Sequence, residues 1–362
     1  MNNNNRPSFL GYLHSFRGFA IINIVAIHAI GFALYAASNN SFNPKDPYSI
    51  ANELLFHNST IYFAVISGLL FSVVLKGKGY KIFYISKFKN VLLPYLFLTL
   101  LFSIFNPTET NNFALHTDFA LYLKGAIRNF IYGKAQFPYW YIPVLIFLYL
   151  VTPLLDYIMN IKRWGTILMM LIILLPLGIS RVELTDLEKG DFLSLSTMIY
   201  FMGAYAAGIY FGANPDQRFN WVKKNMGLFI FIAVIATAAL IYFEINDIDK
   251  FGAWSLRGTL FYVQKLCLSG IFIIIFKNLS ERQPRWLGKI ANYAFTIYFL
   301  HAFFLFMLYD PLMPISSLHK IAPFNLFLAS LMFLTFSFAL SILVAWILKK
   351  MLGKYSKMLI GS

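Results

Sequence analysis

Charge is what this sequence has least of. Only 12% of its 362 residues are Asp, Glu, Lys or Arg while 59% are hydrophobic, a balance that excludes a soluble globular domain and a disordered chain alike. Acids are scarcer still than bases, 15 against 30. The resulting formal charge of +15 would point to nucleic acid in a soluble protein, but here its distribution along the chain carries the meaning. The single cysteine, Cys267, excludes an internal disulfide and a thiolate metal cluster. Also missing are a phosphate-binding glycine loop, a dinucleotide fingerprint, an HExxH zinc motif and a G-x-S-x-G elbow. The opening residues MNNNNRPSFL hold no small-residue cleavage site, so the first apolar run is expected to stay attached.

What remains is apolar runs of helical span length, too long for the alternating strands of a barrel. They predict an all-α, polytopic transmembrane bundle of about ten spans, near 14–36, 54–75, 90–106, 138–156, 164–180, 193–212, 226–243, 256–277, 290–310 and 324–348. Pro143, Pro153 and Pro176 fall where they would kink or shorten the fourth and fifth. A single transmembrane domain is expected over 1–362, with no separate soluble domain. The longest loop, 107–137, falls on the outer side. Counting the N-terminus, the loops after even-numbered spans and the C-terminal tail as one side collects 20 of the 30 basic residues. The same side collects only Asp156, Asp216 and Glu281 among the acids. That asymmetry places both termini in the cytoplasm.

The stretch from Leu13 to Tyr35, LHSFRGFAIINIVAIHAIGFALY, carries two ionisable groups in an otherwise apolar run, Arg17 and His28. Such groups are costly in lipid and mark function by default. Eleven helical steps of about 100° bring them to one face, roughly 16 Å apart along the axis, one at a membrane surface and one near the midplane. The plainer alternatives are an arginine that snorkels to headgroups and a histidine satisfied by a neighbouring helix. His301, in YAFTIYFLHAFFLF, sits twelve residues beyond Lys289, at a depth similar to His28. Two histidines at one level point to a polar pocket suited to proton transfer, or to a hydrogen-bonded structural pair. Lys265, beside Gln264, is a third ionisable group inside a span. The basic run KGKGYKIFYISKFKNVLLPY is either a topology signal or a docking site for a phosphorylated ligand, with Lys87 and Lys89 at the mouth of the third helix.

The stretch Phe16 to His28, FRGFAIINIVAIH, resembles the first span of the membrane acyltransferase-3 family, whose hallmark is an arginine and a histidine separated by ten residues. Further matches follow in order: FAVISGLLFS around Ser67 and Gly68, KFKNVLLPY, YWYIPVLIFLYLVTPLL and FMGAYAAGIYFG. The last is LGKIANYAFTIYFLH, with a late Tyr-x-x-His at Tyr298 and His301. The resemblance implies a multi-pass protein of the inner (cytoplasmic) membrane that moves an acetyl or other short acyl group from cytoplasmic acyl-CoA. The acceptor it implies is a hydroxyl of an envelope carbohydrate or glycolipid, with no metal and no nucleic acid involved, and with polysaccharide-biosynthesis proteins as partners. It makes Arg17 donor-positioning or oxyanion-stabilising, His28 a general base or transient acyl carrier, and Arg17, Lys87 and Lys89 the contacts to the donor's phosphates. Two departures stand out. Lys87 and Lys89 replace family arginines and so lose bidentate phosphate contacts. Ala294 replaces the serine that opens the late signature, leaving Thr296 as the candidate substitute. The competing class is a carrier or flippase of lipid-linked sugars, which would use the same pocket without covalent chemistry; a structural partner in a polysaccharide-export complex ranks last.

Overall fold

The computed structural model describes residues 7–37, 45–105, 119–181, 193–246, 248, 255–279, 284–312 and 323–361. Among them every regular element is helical and there is no strand. Seven helices are long and apolar enough to cross a membrane: Gly11–Ala37, Pro47–Lys78, Tyr80–Ile104, Phe137–Met159, Met226–Asn246, Leu256–Asn278 and Asn325–Leu352. An eighth span exists if Arg285–Asn292 and Ala294–Tyr309, bent by 76°, count as one. The other two expected spans are also helices, one of them short and one rich in glycine and alanine.

The chain divides into two compact units of interleaved segments. The first takes Met1–Ala20, His57–Ile85 and Val144–Asn292; the second takes Ile21–Phe56, Ser86–Pro143 and Tyr293–Ser362. In chain order, α1 (Pro7–Ala37) is continuous through Arg17 and His28. Helix α2 (Pro47–Phe56) gives way at Asn58, with its left-handed φ of 58°, to α3 (Thr60–Leu70). A π-turn, a 3-10 turn and Gly79 lead to α4 (Tyr80–Lys87), which continues through a π-turn at Phe88–Leu92 into α5 (Leu93–Phe105). The third span therefore begins ten residues earlier than expected. Its lysines alternate with Tyr80, Ile82, Phe83, Ile85 and Phe88, so an apolar stripe persists through residues that read as a loop.

The expected outer loop contains a helix of its own, α6 (Phe119–Tyr132). It is pinned to α5 by the Tyr95 hydroxyl on the Phe130 carbonyl (2.5 Å), the Tyr122 hydroxyl on that of Leu100 (2.7 Å), and Asn129 on Ser103 (3.0 Å). Helix α7 (Tyr141–Met159) continues through Pro153. A proline leaves the carbonyl four residues back without its donor, and here the Tyr84 hydroxyl donates to that carbonyl, of Tyr149, at 3.3 Å. Pro176 does end its helix. Helix α8 (Gly165–Leu174) stops in a 3-10 turn at Leu175–Leu177, giving a 13-residue segment where a full span was expected.

Helix α9 (Leu195–Ala213) dilutes its apolar residues with glycine and alanine because it packs face to face with α3. A methyl added at Gly68 would overlap the Tyr205 carbonyl, and one at Gly208 the carbonyl of Val65. Every residue from Thr60 to Leu69 is buried, so α3 is the central rod of the first unit. The amphipathic α10 (Pro215–Lys224) leads to α11 (Met226–Asn246) and α12 (Leu256–Asn278). Only 17% of the α11 span is buried against 61% of the α12 span, which leaves Phe231, Val234 and Ile235 facing outward. In water such a face would be a liability; against lipid it is what a peripheral span requires. Helices α13 (Arg285–Asn292), α14 (Ala294–Leu312), α15 (Pro323–Leu352) and the short α16 (Ser356–Ile360) complete the chain.

Polar pairs close the ends of the first unit. Lys76 lies 2.7 Å from Asp156 and donates to Asn160, while Tyr80 donates to Asp156 at 2.7 Å and Lys277 reaches Asp216 at 3.5 Å. A further ion pair, Arg257 with Glu244 at 2.5 Å, is almost wholly buried. The core of the second unit is a cluster of Ala29, Ala33, Leu305, Leu326 and Phe333, where small residues on α1 let α14 and α15 approach closely.

Candidate active site

Within the second unit the two histidines singled out from the sequence come together. The rings of His28 on α1 and His301 on α14 are stacked, centroids 5.5 Å apart and planes 19° from parallel. His301 is fully buried, whereas His28 is half-buried and meets Phe137 edge-on at 4.4 Å. The segment of α14 that carries His301 is held from several sides. Tyr298 donates its hydroxyl to the Pro138 carbonyl, and Tyr139 returns one to the carbonyl of Phe299 at 2.9 Å. Ser337 donates to the carbonyl of His301 itself at 3.3 Å. Two tyrosines thus staple the helix to the 3-10 turn Phe137–Trp140, and that turn brings Phe137 onto His28.

Nδ1 of His301 lies 3.0 Å from the Ile297 carbonyl and 2.8 Å from that of Tyr298, both in the preceding turn of its own helix. Nε2 is buried and has no hydrogen-bond partner among the described residues. The site therefore presents a desolvated imidazole nitrogen, stacked on a second imidazole, whose lone pair is able to take a proton from a group brought to it.

Arg17 belongs to the first unit, on the stretch of α1 below Ala20. It lines a cavity of about 370 Å³ together with Gly11, Leu13, His14 and Leu70. Tyr149, hydrogen-bonded to Ser67, lies within electrostatic reach of its guanidinium. Gly18, the next residue along, packs so closely on the Leu287 carbonyl of α13 that no side chain fits there. His14, one helical turn before Arg17, lies against Gly288 of α13, within electrostatic reach of Asn292.

Lys87 ends α4 and is half-buried; Lys89 lies in the following π-turn and is exposed. Both sit inside a helical rod rather than ahead of one. Lys265 is fully buried in α12 of the first unit. Thr296, the substitute for the missing serine, donates its hydroxyl to the Ile360 carbonyl at 2.9 Å, so that hydroxyl anchors α16. Sequence reasoning missed His14 and Phe137. The first was detectable as a second titratable residue three positions before Arg17, whereas nothing in the sequence set Phe137 apart from 38 other phenylalanines.

The family model described as an acyltransferase domain, the acyltransferase-3 model, matches residues 10–350. No curated protein and no solved structure matches the chain.

Proposed function

Because the chain belongs to the acyltransferase-3 family, we propose that it is a multi-pass O-acyltransferase of the inner (cytoplasmic) membrane. It takes an acetyl or other short acyl group from cytoplasmic acyl-CoA and places it on a hydroxyl of an envelope carbohydrate. The observation that carries this reading is the stacking of His28 on His301, two imidazoles from distant parts of the sequence brought to 5.5 Å in an apolar bundle. A titratable pair is costly to bury and useful to chemistry that moves a proton.

In this reading the donor's phosphates are the ligands of Arg17, Lys87 and Lys89, the residues to which the family resemblance assigns them. The same helix α1 carries His28 about 16 Å further along its axis. A sugar hydroxyl gives its proton to the histidine pair as its oxygen attacks the thioester carbonyl. The family resemblance implies His28 as base or transient acyl carrier, and His301, its stacked partner, is the other imidazole able to take that proton. Two ion pairs of the first unit are in keeping with cytoplasmic termini. Lys76 pairs with Asp156, and Lys277 with Asp216, and the charge distribution assigns all four to the cytoplasmic side.

Purified protein in detergent decides between this reading and a flippase of lipid-linked sugars. A true donor stabilises the folded state by mass action, about 2.7 kcal/mol at a hundredfold excess over its Kd. Acetyl-CoA is expected to raise the thermal midpoint and, with an envelope glycan present, to be consumed with release of the free thiol. No shift and no thiol release from any short acyl-CoA would favour the carrier.

A further inference from the structure

The two histidines are not equivalent, and the difference lies in the backbone around His301. A carbonyl oxygen can only accept, so the contacts of Nδ1 to the carbonyls of Ile297 and Tyr298 place the hydrogen of the neutral ring on Nδ1. Nε2 is then the nitrogen with the lone pair. It is buried, and among the described residues nothing donates to it. A buried acceptor without a donor calls for an explanation, since such atoms are normally satisfied. The carbonyls that set the tautomer cannot drift. The hydroxyl of Tyr298 is tied to Pro138, the carbonyl of Phe299 to Tyr139, and that of His301 to Ser337.

Resting on the acyltransferase reading, we infer that within the histidine pair the general base is Nε2 of His301, held by the helix in the tautomer that can only receive a proton. The acceptor hydroxyl gives its proton to Nε2 while its oxygen forms the new bond to the thioester carbonyl carbon. The carbon–sulfur bond then breaks, and the proton on Nε2 passes to the departing thiolate, giving coenzyme A thiol and restoring the starting ring. His28, stacked 5.5 Å away, keeps one face of that ring covered.

Two measurements test this. Nitrogen-15 NMR of histidine-labelled protein, with His301→Gln to assign the signal, is expected to show a protonated Nδ1 and an unprotonated Nε2 at residue 301. A proton on Nε2 instead would overturn the inference whether or not the variant folds. In steady-state assays His301→Gln is expected to lower kcat by about 10²- to 10⁴-fold, the usual contribution of a positioned base, with KM for acyl-CoA within about twofold. His301→Ala should regain part of its kcat when free imidazole is added. An unchanged kcat, or a loss that imidazole leaves untouched and that raises KM alongside, marks a packing role and contradicts the assignment. Wild-type protein that neither binds nor consumes acyl-CoA would instead sink the acyltransferase reading, and leave the tautomer where the NMR finds it.

Discussion

His28 and His301 lie 273 positions apart in sequence, yet their rings are stacked within 5.5 Å of each other. The contact depends on alanine: Ala29 and Ala33 on one helix and Ala302 on the other are completely buried, which lets the two backbones close up.

Arg17 should not tolerate lysine. A planar guanidinium grips a phosphate through two parallel hydrogen bonds, which a compact ammonium cannot reproduce. Arg17→Lys is expected to raise KM for acyl-CoA by about tenfold, one bidentate contact's worth, while the protein stays folded. Unchanged kinetics would return Arg17 to the role of a headgroup anchor.

The glycines of the α3–α9 crossing should be equally intolerant of a methyl. At Gly208 the added carbon would overlap the Val65 carbonyl, a backbone atom that cannot swing aside. Gly208→Ala is expected to cost about 1–3 kcal/mol, the usual range for overpacking. Thermal unfolding in detergent checks it, with Gly227→Ala, where nothing stands within 4 Å, as the neutral control.

Arg257 and Glu244 form a buried ion pair, with side chains 9% and 4% exposed. Removing one partner strands the other charge, so Glu244→Ala is expected to destabilise by about 3–5 kcal/mol. Glu244→Ala combined with Arg257→Met should recover most of that loss. If the double variant is no better than the single one, the pair is not the reason these positions are charged.

How much of this was legible beforehand follows from which signals are local. Arg17, His28 and His301 stood out because ionisable residues are rare in apolar runs. All ten expected segments fall on helices for the same reason. What escaped detection depends on partners distant in sequence. Pro153 reads as a break, yet the helix continues through it, and a tyrosine in a different helix supplies the missing donor. Lys87 and Lys89 read as a loop because their charge masks the apolar stripe between them. The tautomer of His301 needs coordinates, since it is set by which ring atom faces the helix carbonyls.

Topology offers an independent check. With the lone Cys267 replaced by alanine, single cysteines at Lys223, Lys350 and Lys134 report sidedness to a membrane-impermeant maleimide. Labelling of intact cells is expected at 134 alone, with 223 and 350 reached only after permeabilisation. Labelling of 350 from outside would overturn the cytoplasmic C-terminus.

The most direct test of the account is transfer of radiolabelled acetyl from acetyl-CoA to envelope glycan in membranes holding either the wild-type protein or His301→Gln at matched levels. The account predicts base-labile label on the glycan with the wild type, and a loss of about 10²-fold or more in the variant, the scale of a missing acid–base group. Equal labelling by the two would contradict it.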